Sequence, residues 1–301
     1  MIYIKLLFTA FFWGGTFIAG KGLAGNVDPY CSAFLRFTVA SFFLVILTRK
    51  LEGPLPGINR NQAVFIFLTG LTGIFAYNIF FFTGLTMINA NRASLIIATN
   101  PIFISLASAL FFKEKLTPVK VCGLILSVSG ALVIISGGDL SQILKTGIGK
   151  GELAIFGCVL SWVSYSILGK PLMGSLSPLA SVCYSSLAGT IMLFFPAVFK
   201  GLFVSLPDYG VLEWGSLFYL GFFGTVLGFL WYYQGIRSIG PMKAGIFINF
   251  VPVSAVILSY FILDETVTRE ILVGAAFVIT GVYLTNASKP VQKNDTQAET
   301  T

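Results

Sequence analysis

Two stretches of the sequence share one pattern: NPIFISLASALFFKEK at residues 100–115 and VPVSAVILSYFILDET at residues 251–266. Each has proline in the second place, serine in the ninth and glutamate in the fifteenth, around a long apolar run. The stretches lie 151 residues apart, and residues on both sides keep this register. The matched pairs include Gly70 and Gly221, Gly73 and Gly224, Gly84 and Gly235, Pro101 and Pro252, Glu114 and Glu265, Gly123 and Gly274, and Gly130 and Gly281. The sequence therefore contains an internal repeat.

The composition indicates that lipid surrounds most of the chain. Of 301 residues, 56% are hydrophobic and only 10% are charged, with a mean hydropathy of +0.88. A soluble globule needs a more polar surface. The charged residues leave apolar stretches of about 20 residues, the length with which a helix crosses the hydrocarbon core. The predicted spans are approximately 4–24, 30–48, 62–85, 93–112, 117–137, 152–172, 178–199, 212–235, 242–263 and 268–286. These segments are too long and too uniformly apolar for barrel strands, so we predict an all-α membrane protein with ten transmembrane helices.

Each half of the repeat holds five predicted spans. Near the start of the halves the register is 149 residues, which pairs Trp13 with Trp162. Because five is odd, the second half starts on the opposite side of the membrane, and we predict inverted repeats at residues 1–143 and 144–287. Inverted halves give two conformations of similar energy, each open to one side, which is the basis of alternating access around a midplane site. The alternative is a duplication that only built a stable bundle.

The basic residues set the predicted orientation. With a cytoplasmic N-terminus, twelve Lys and Arg residues fall on the cytoplasmic side and six on the other. The positive-inside rule therefore places both termini in the cytoplasm, and the polar residues 288–301 are expected to form a disordered tail. Contact with the anionic lipid bilayer accounts for the pI of about 9.2 without a nucleic-acid partner. The four cysteines lack CxxC spacing, so we expect no metal site, cofactor or disulfide framework.

Several motifs together resemble one known family. They are the run Trp13-Gly14-Gly15-Thr16-Phe17, the pair Arg36-Phe37 with Ala40, the two proline-to-glutamate stretches, and the Gly-x6-Gly pattern of the fifth and tenth spans. Over approximately residues 4–287, this combination is similar to the EamA type of the drug/metabolite transporter superfamily. The resemblance implies a ten-helix inverted-repeat transporter of the inner (plasma) membrane, often an exporter of amino acids, with a central cavity between the halves. One departure is that Lys113 and Asp264 stand before the glutamates, where the family often has glycine.

Polar and aromatic side chains within spans are the candidates for substrate contact, because their burial costs free energy that packing alone does not require. Trp13 and Trp162 lie mid-helix at equivalent positions, so we predict both in the cavity wall. The further candidates are Tyr77, Asn78, Tyr165, Gln234, Asn100 and Asn249. The two asparagines Asn100 and Asn249 have an alternative role, in which they satisfy backbone groups that the hinge-forming prolines Pro101 and Pro252 leave free.

Three charged residues have a predicted structural or gating role. Arg36 lies about 10 Å deep in the second span. A guanidinium facing a cavity would attract a carboxylate or phosphate. Because this span is peripheral in the family that the chain resembles, we instead expect Arg36 to snorkel or to cap carbonyl groups. Glu114 and Glu265 lie at the ends of the fourth and ninth spans. We expect each carboxylate to accept hydrogen bonds from the first amides of the following helix, and so to fix the helix ends that gate each side of the membrane.

The residue types that the chain lacks narrow the function. It has no histidine and no Asp or Glu in mid-span, which disfavours a proton relay and an intramembrane enzyme. No phosphate-binding loop for ATP is present either. We therefore predict a secondary transporter that works by facilitated diffusion or exchange. The resemblance to the family implies that it exports small amphipathic metabolites, such as amino acids, from a neutral cavity. Ion coupling at a broken helix stays open, and a non-transporting structural or receptor protein is the alternative. The glycine-rich faces of the fifth and tenth spans could pack on neighbouring spans or form a homodimer.

Overall fold

The computed structural model describes residues 1–23, 25–88, 93, 96–136, 149–263 and 268–287, which contain helices and no strand. The long helices of this part are α1 (Ile2–Leu23), α2 (Pro29–Leu51), α3 (Arg60–Met87), α4 (Asn100–Phe112), α5 (Pro118–Ser136), α6 (Lys150–Leu172), α7 (Pro178–Phe199), α8 (Val211–Ile239), α9 (Phe250–Leu263) and α10 (Arg269–Ala287). Shorter helical segments lie at Leu202–Ser205, Leu206–Asp208, Pro241–Gly245 and Ile246–Asn249. The predicted all-α class is confirmed for the described residues.

The helices α1, α2, α3, α6, α7 and α8 are each long and apolar enough to cross a membrane. The apolar helices α4, α5 and α10 are shorter. Local sequence sets several of the boundaries: Asp28 caps α2 by accepting a hydrogen bond from Tyr30 N at 2.8 Å, and Ser177 caps α7 by accepting one from Ala180 N at 2.9 Å. The chain is a multi-pass helical membrane protein, as its hydropathy pattern predicts.

The fourth predicted span differs from the expectation, and the ninth agrees with it in its bounds. We expected Pro101 and Pro252 inside continuous helices, where each would produce a kink. In the structure α4 begins only at Asn100, after a turn at residues 98–99, so Pro101 stands in the first turn of a new helix, a position that tolerates the missing N–H group. Helix α9 instead continues without a gap from Pro241–Gly245 and the 3₁₀ segment Ile246–Asn249, so Pro252 follows a change of geometry inside one helical run. The continuous-span prediction is therefore wrong for the fourth span, where a helix begins at the proline, whereas the helical run 241–263 agrees with the predicted 242–263.

Two helices contain a π-helical segment, Gly70–Ala76 in α3 and Leu220–Leu227 in α8. Under the 151-residue register the two segments coincide to within one residue. Such segments are rare, and they are frequent at functional sites. Their glycines allow close approach, since a Cβ on Gly73 would collide with the ring of Tyr165. The π segments therefore mark the places where α3 and α8 meet the centre of the bundle.

Helices α5 and α10 cross at close range through two pairs of glycines. A Cβ on Gly281 would lie 2.5 Å from the carbonyl oxygen of Gly123, and a Cβ on Gly130 would lie 2.5 Å from that of Gly274. These are the glycine-rich faces that we considered for packing on neighbours or for a homodimer. The structure places them against each other within one chain, so they give no support to a homodimer.

Candidate substrate cavity

A cavity of about 540 Å³, including its open mouth, lies at the centre of the described helices. Its walls come from α1, α2, α3, α6 and α8 and from the chain at the starts of α4 and α9. The lining residues are Trp13, Thr16, Phe17, Arg36, Tyr77, Phe81, Ile97, Asn100, Trp162, Phe229, Ile248 and Val251. Residues of both sequence halves therefore share one cavity.

Aromatic rings form much of the wall. The rings of Trp13 and Trp162 meet edge to face, with centroids 5.2 Å apart. Tyr77 and Phe229 contact Trp162 at centroid distances of 5.4 and 5.1 Å. Trp13 Nε1 donates a hydrogen bond of 2.9 Å to the carbonyl oxygen of Gly224, within the π segment of α8, which fixes the orientation of the indole. Trp13, Trp162 and Tyr77 thus lie where the sequence places them, and their role in binding stays a prediction.

Arg36 turns inward and lines the cavity with a side chain that is only 5% exposed. Its Nε donates to Thr225 Oγ1 at 3.0 Å, and its Nη1 donates to Asn78 Oδ1 at 3.3 Å. Thr225 Oγ1 in turn donates to the carbonyl oxygen of Leu220 at 2.9 Å. The expected snorkelling role is wrong, because polar partners on α3 and α8 hold the guanidinium at the centre. The cavity is therefore cationic and not neutral, since its described lining includes no acidic residue.

The three candidate asparagines occupy different positions. Asn78 lies behind the wall: its Nδ2 donates to Ile74 O at 2.7 Å while its Oδ1 accepts from Arg36. Asn249 also lies outside the described lining, and its Nδ2 donates to Ser127 Oγ at 2.9 Å. Asn100 lines the cavity, is 1% exposed, and has an Oδ1 without a hydrogen-bond partner among the described residues. Asn100 is therefore the asparagine that can contact a bound solute.

Two further candidates lie away from the described cavity lining. Tyr165 is fully buried and stacks on Tyr233, with ring centroids 4.7 Å apart, so it supports the wall from behind. Gln234 accepts a hydrogen bond of 2.7 Å from Lys5 Nζ, which ties α8 to the start of α1. Direct substrate contact by Gln234 is not supported by this placement.

Sequence reasoning missed several lining residues. Phe17, Phe81 and Phe229 have no feature that separates them from the other 27 phenylalanines of the chain's 30. Thr225 did carry a signal, because it is a lone polar residue within the apolar stretch Leu220–Leu227. A polar residue in such a stretch needs a buried partner, and here that partner is Arg36.

Glu114 pairs with a different group from the one expected. Its Oε1 accepts a hydrogen bond and salt bridge of 3.0 Å from Lys170 Nζ, which also lies 4.0 Å from the ring centroid of Phe112. At the start of α5, the backbone amide of Lys120 donates a hydrogen bond of 3.4 Å to Thr117 Oγ1. The prediction that Glu114 accepts hydrogen bonds from the α5 amides is therefore wrong. Its carboxylate instead joins the end of α4 to the end of α6. Glu265 lies outside the described residues.

Similar proteins are known along nearly the whole length of the chain. The EamA-like transporter family model matches residues 1–136 and 149–287. The chain is 31% identical to the uncharacterized transporter YyaM of Bacillus subtilis, covering 99% of this chain and 97% of that protein. It is 32% identical to a protein of Streptantibioticus cattleyicolor named "Probable terminal-alkyne amino-acid exporter", covering 93% of this chain and 92% of that protein. A solved crystal structure with 20% identity shares the fold at a TM-score of 0.76, covering 94% of this chain and 96% of that one.

Proposed function

Because the chain belongs to the EamA-like transporter family, we propose that it is a secondary transporter that exports small amphipathic metabolites, amino acids above all, by alternating access. The observation that carries this proposal is the central cavity, to which residues of both sequence halves contribute. Its aromatic wall suits a solute with an apolar body. The protein itself is a multi-pass transporter of the plasma membrane.

The proposed architecture is ten transmembrane spans in two inverted five-helix repeats, with both termini in the cytoplasm. Two symmetric features support it. The π segments of α3 and α8 fall at equivalent repeat positions, and the chain leaves regular α geometry shortly before each repeated proline, at residues 98–99 and at Ile246–Asn249. Interrupted helices near the midplane are a recurrent part of inverted-repeat transporters, where their ends face the substrate. The turn before Asn100 and the 3₁₀ segment before Phe250 are the corresponding parts here.

Two observations support amino acids as the substrate class. The relative from Streptantibioticus cattleyicolor is named an amino-acid exporter, and its similarity extends over both chains. The cavity also offers an apolar aromatic wall beside the charged Arg36 and the amide of Asn100. An amino acid presents a side chain to the first surface and ionic groups to the second. The described lining contains no carboxylate or histidine to carry a proton, so we propose flux without proton coupling.

The test is transport in proteoliposomes that contain the purified full-length chain. Radiolabelled amino acids, nucleosides and sugars are followed with and without an imposed pH gradient. We expect one class to move down its own gradient, and Trp13→Ala and Trp162→Ala to reduce that flux at least about tenfold, because both remove cavity wall. Trp214→Ala is the matched control, since Trp214 is 43% exposed and lies outside the described lining.

The outcomes separate the alternatives. If flux is unchanged in both cavity variants while Trp214→Ala behaves like wild type, the cavity is not the transport site. If flux requires the pH gradient, the proposed absence of proton coupling is wrong. If no solute of any class moves in either condition, the structural or receptor function replaces transport.

A further inference from the structure

The charge of Arg36 has no acidic counterpart in the described cavity. A guanidinium keeps its charge at any physiological pH, and burying a charge is costly unless it is paired. Here the two hydrogen-bond acceptors are neutral, the hydroxyl of Thr225 and the amide oxygen of Asn78. They orient the group without neutralising it. The described residues therefore leave one buried positive charge uncompensated in the cavity wall.

The geometry of the guanidinium leaves donors for a ligand. Arginine has five N–H groups in a planar fork, and the two bonds to Thr225 and Asn78 use Nε and one hydrogen of Nη1. The paired N–H groups of such a fork match the two oxygens of a carboxylate. Because Nε and Nη1 are fixed from α8 and α3, the fork is already oriented before a ligand arrives. A pre-oriented donor loses less entropy when it binds.

Only the first half of the repeat carries a charged residue at the position of Arg36. Under the 149-residue register, the position equivalent to Arg36 in the second half is Ser185. Its hydroxyl forms a hydrogen bond of 2.7 Å with Thr69 Oγ1. A single cation balances a single negative charge, which favours a carboxylate over a doubly charged phosphate. The aromatic wall beside it favours an apolar body on the same molecule.

We propose that Arg36 determines the specificity of this transporter, by binding the carboxylate of the substrate. The cavity then accepts small carboxylates with an apolar body, with or without an amino group, and rejects the corresponding amines. This inference rests on the proposed function, and it adds the chemical group that the substrate must carry. Asn100 is buried in the same wall, and its Oδ1, which has no hydrogen-bond partner within the described part of the chain, can accept a hydrogen bond from an amino group when the substrate has one.

Three probes with the same phenylethyl body test the proposal by equilibrium binding to the full-length chain in lipid nanodiscs. They are 3-phenylpropionate (carboxylate only), L-phenylalanine (both groups) and 2-phenylethylamine (amine only). We expect wild type to bind the two carboxylates at least about tenfold more tightly than the amine. Arg36→Gln is expected to weaken binding of both carboxylates about 10-fold to 100-fold and to leave binding of the amine unchanged. Arg36→Lys keeps the charge but not the fork, so an intermediate loss is expected.

The control variant is Arg237→Gln, which removes an exposed arginine at the end of α8 and is expected to change none of the three affinities. The relative affinities of wild type for the three probes are measured without any variant, so they test the proposal even if Arg36→Gln does not fold. The proposal is overturned if the amine binds wild type as tightly as 3-phenylpropionate, if none of the three probes binds, or if folded Arg36→Gln keeps the preference for carboxylates. If the carboxylate ranking holds while proteoliposomes move no solute, only the proposed transport function fails.

Discussion

The crossing of α5 and α10 has no room for a side chain at Gly281. A Cβ there would lie 2.5 Å from the carbonyl oxygen of Gly123 and 2.5 Å from the backbone nitrogen of Ser127. Both are backbone atoms, which cannot rotate away, and comfortable contacts of carbon lie at about 3.5–4.0 Å. Gly281→Ala therefore has to separate the two helices by about 1 Å.

The magnitude follows from two opposing terms. Overpacking of a close contact costs about 1–3 kcal/mol of folding free energy, while alanine is favoured over glycine in a helix by about 1 kcal/mol. Because both clashing atoms are backbone atoms, the cost lies in the upper half of that range, about 2–3 kcal/mol. We therefore expect Gly281→Ala to lose about 1–2 kcal/mol and to lower the apparent melting temperature by about 2–8 °C. The assay is thermal unfolding followed by tryptophan fluorescence, with wild type and variant in the same detergent.

Gly215→Ala is the matched control. Gly215 lies on the exposed side of α8, and no atom lies within 4 Å of the position of an added Cβ. The control loses no packing and gains helix propensity, so its melting temperature should equal or exceed that of wild type. If Gly281→Ala melts at or above wild type, the close crossing described above does not exist in the folded protein.

Three further predictions concern other parts of the chain. Lys170→Glu should break the ion pair with Glu114, and the double variant Lys170→Glu/Glu114→Lys should restore it. Because the pair is partly exposed, the single variant should change transport flux by no more than about fivefold. Equal flux in the single and double variants would contradict a role for this pair. Thr225→Val removes the acceptor of Arg36 Nε and should weaken binding of 3-phenylpropionate about threefold to tenfold in the nanodisc assay, whereas unchanged affinity would show that Arg36 needs no such support. If the C-terminus is cytoplasmic, a C-terminal alkaline phosphatase fusion should be inactive and a C-terminal green fluorescent protein fusion should be fluorescent. An active phosphatase fusion would show that the predicted orientation is wrong.

Much of the helical architecture is predictable from sequence, because the bilayer imposes length and hydropathy on each span. The boundaries of α3 and α7 lie within two residues of the predicted 62–85 and 178–199. The fourth span was less predictable because a proline fits either a kink or the first turn of a helix. Hydropathy responds to the same apolar residues in both cases, so it cannot locate the break before Pro101.

The cavity was only partly predictable, for a different physical reason. The spans are apolar on all sides, so periodicity does not show which face of a helix points inward. Trp13 and Trp162 were found because the repeat singles them out as an equivalent pair. Arg36 was assigned the wrong direction because its partners, Thr225 and Asn78, lie far from it in sequence, and a single sequence does not report tertiary hydrogen bonds.

The paired π segments also carry information about the history of the chain. A π turn holds more residues than an α turn, so each segment accommodates extra chain length within an otherwise α-helical span. Gly70–Ala76 and Leu220–Leu227 occupy equivalent positions in the two halves. Two separate insertions at one equivalent position would be a coincidence. Under the proposed two-repeat architecture, the extra length belongs to a single ancestral unit that already had the irregular helix before it was copied and fused.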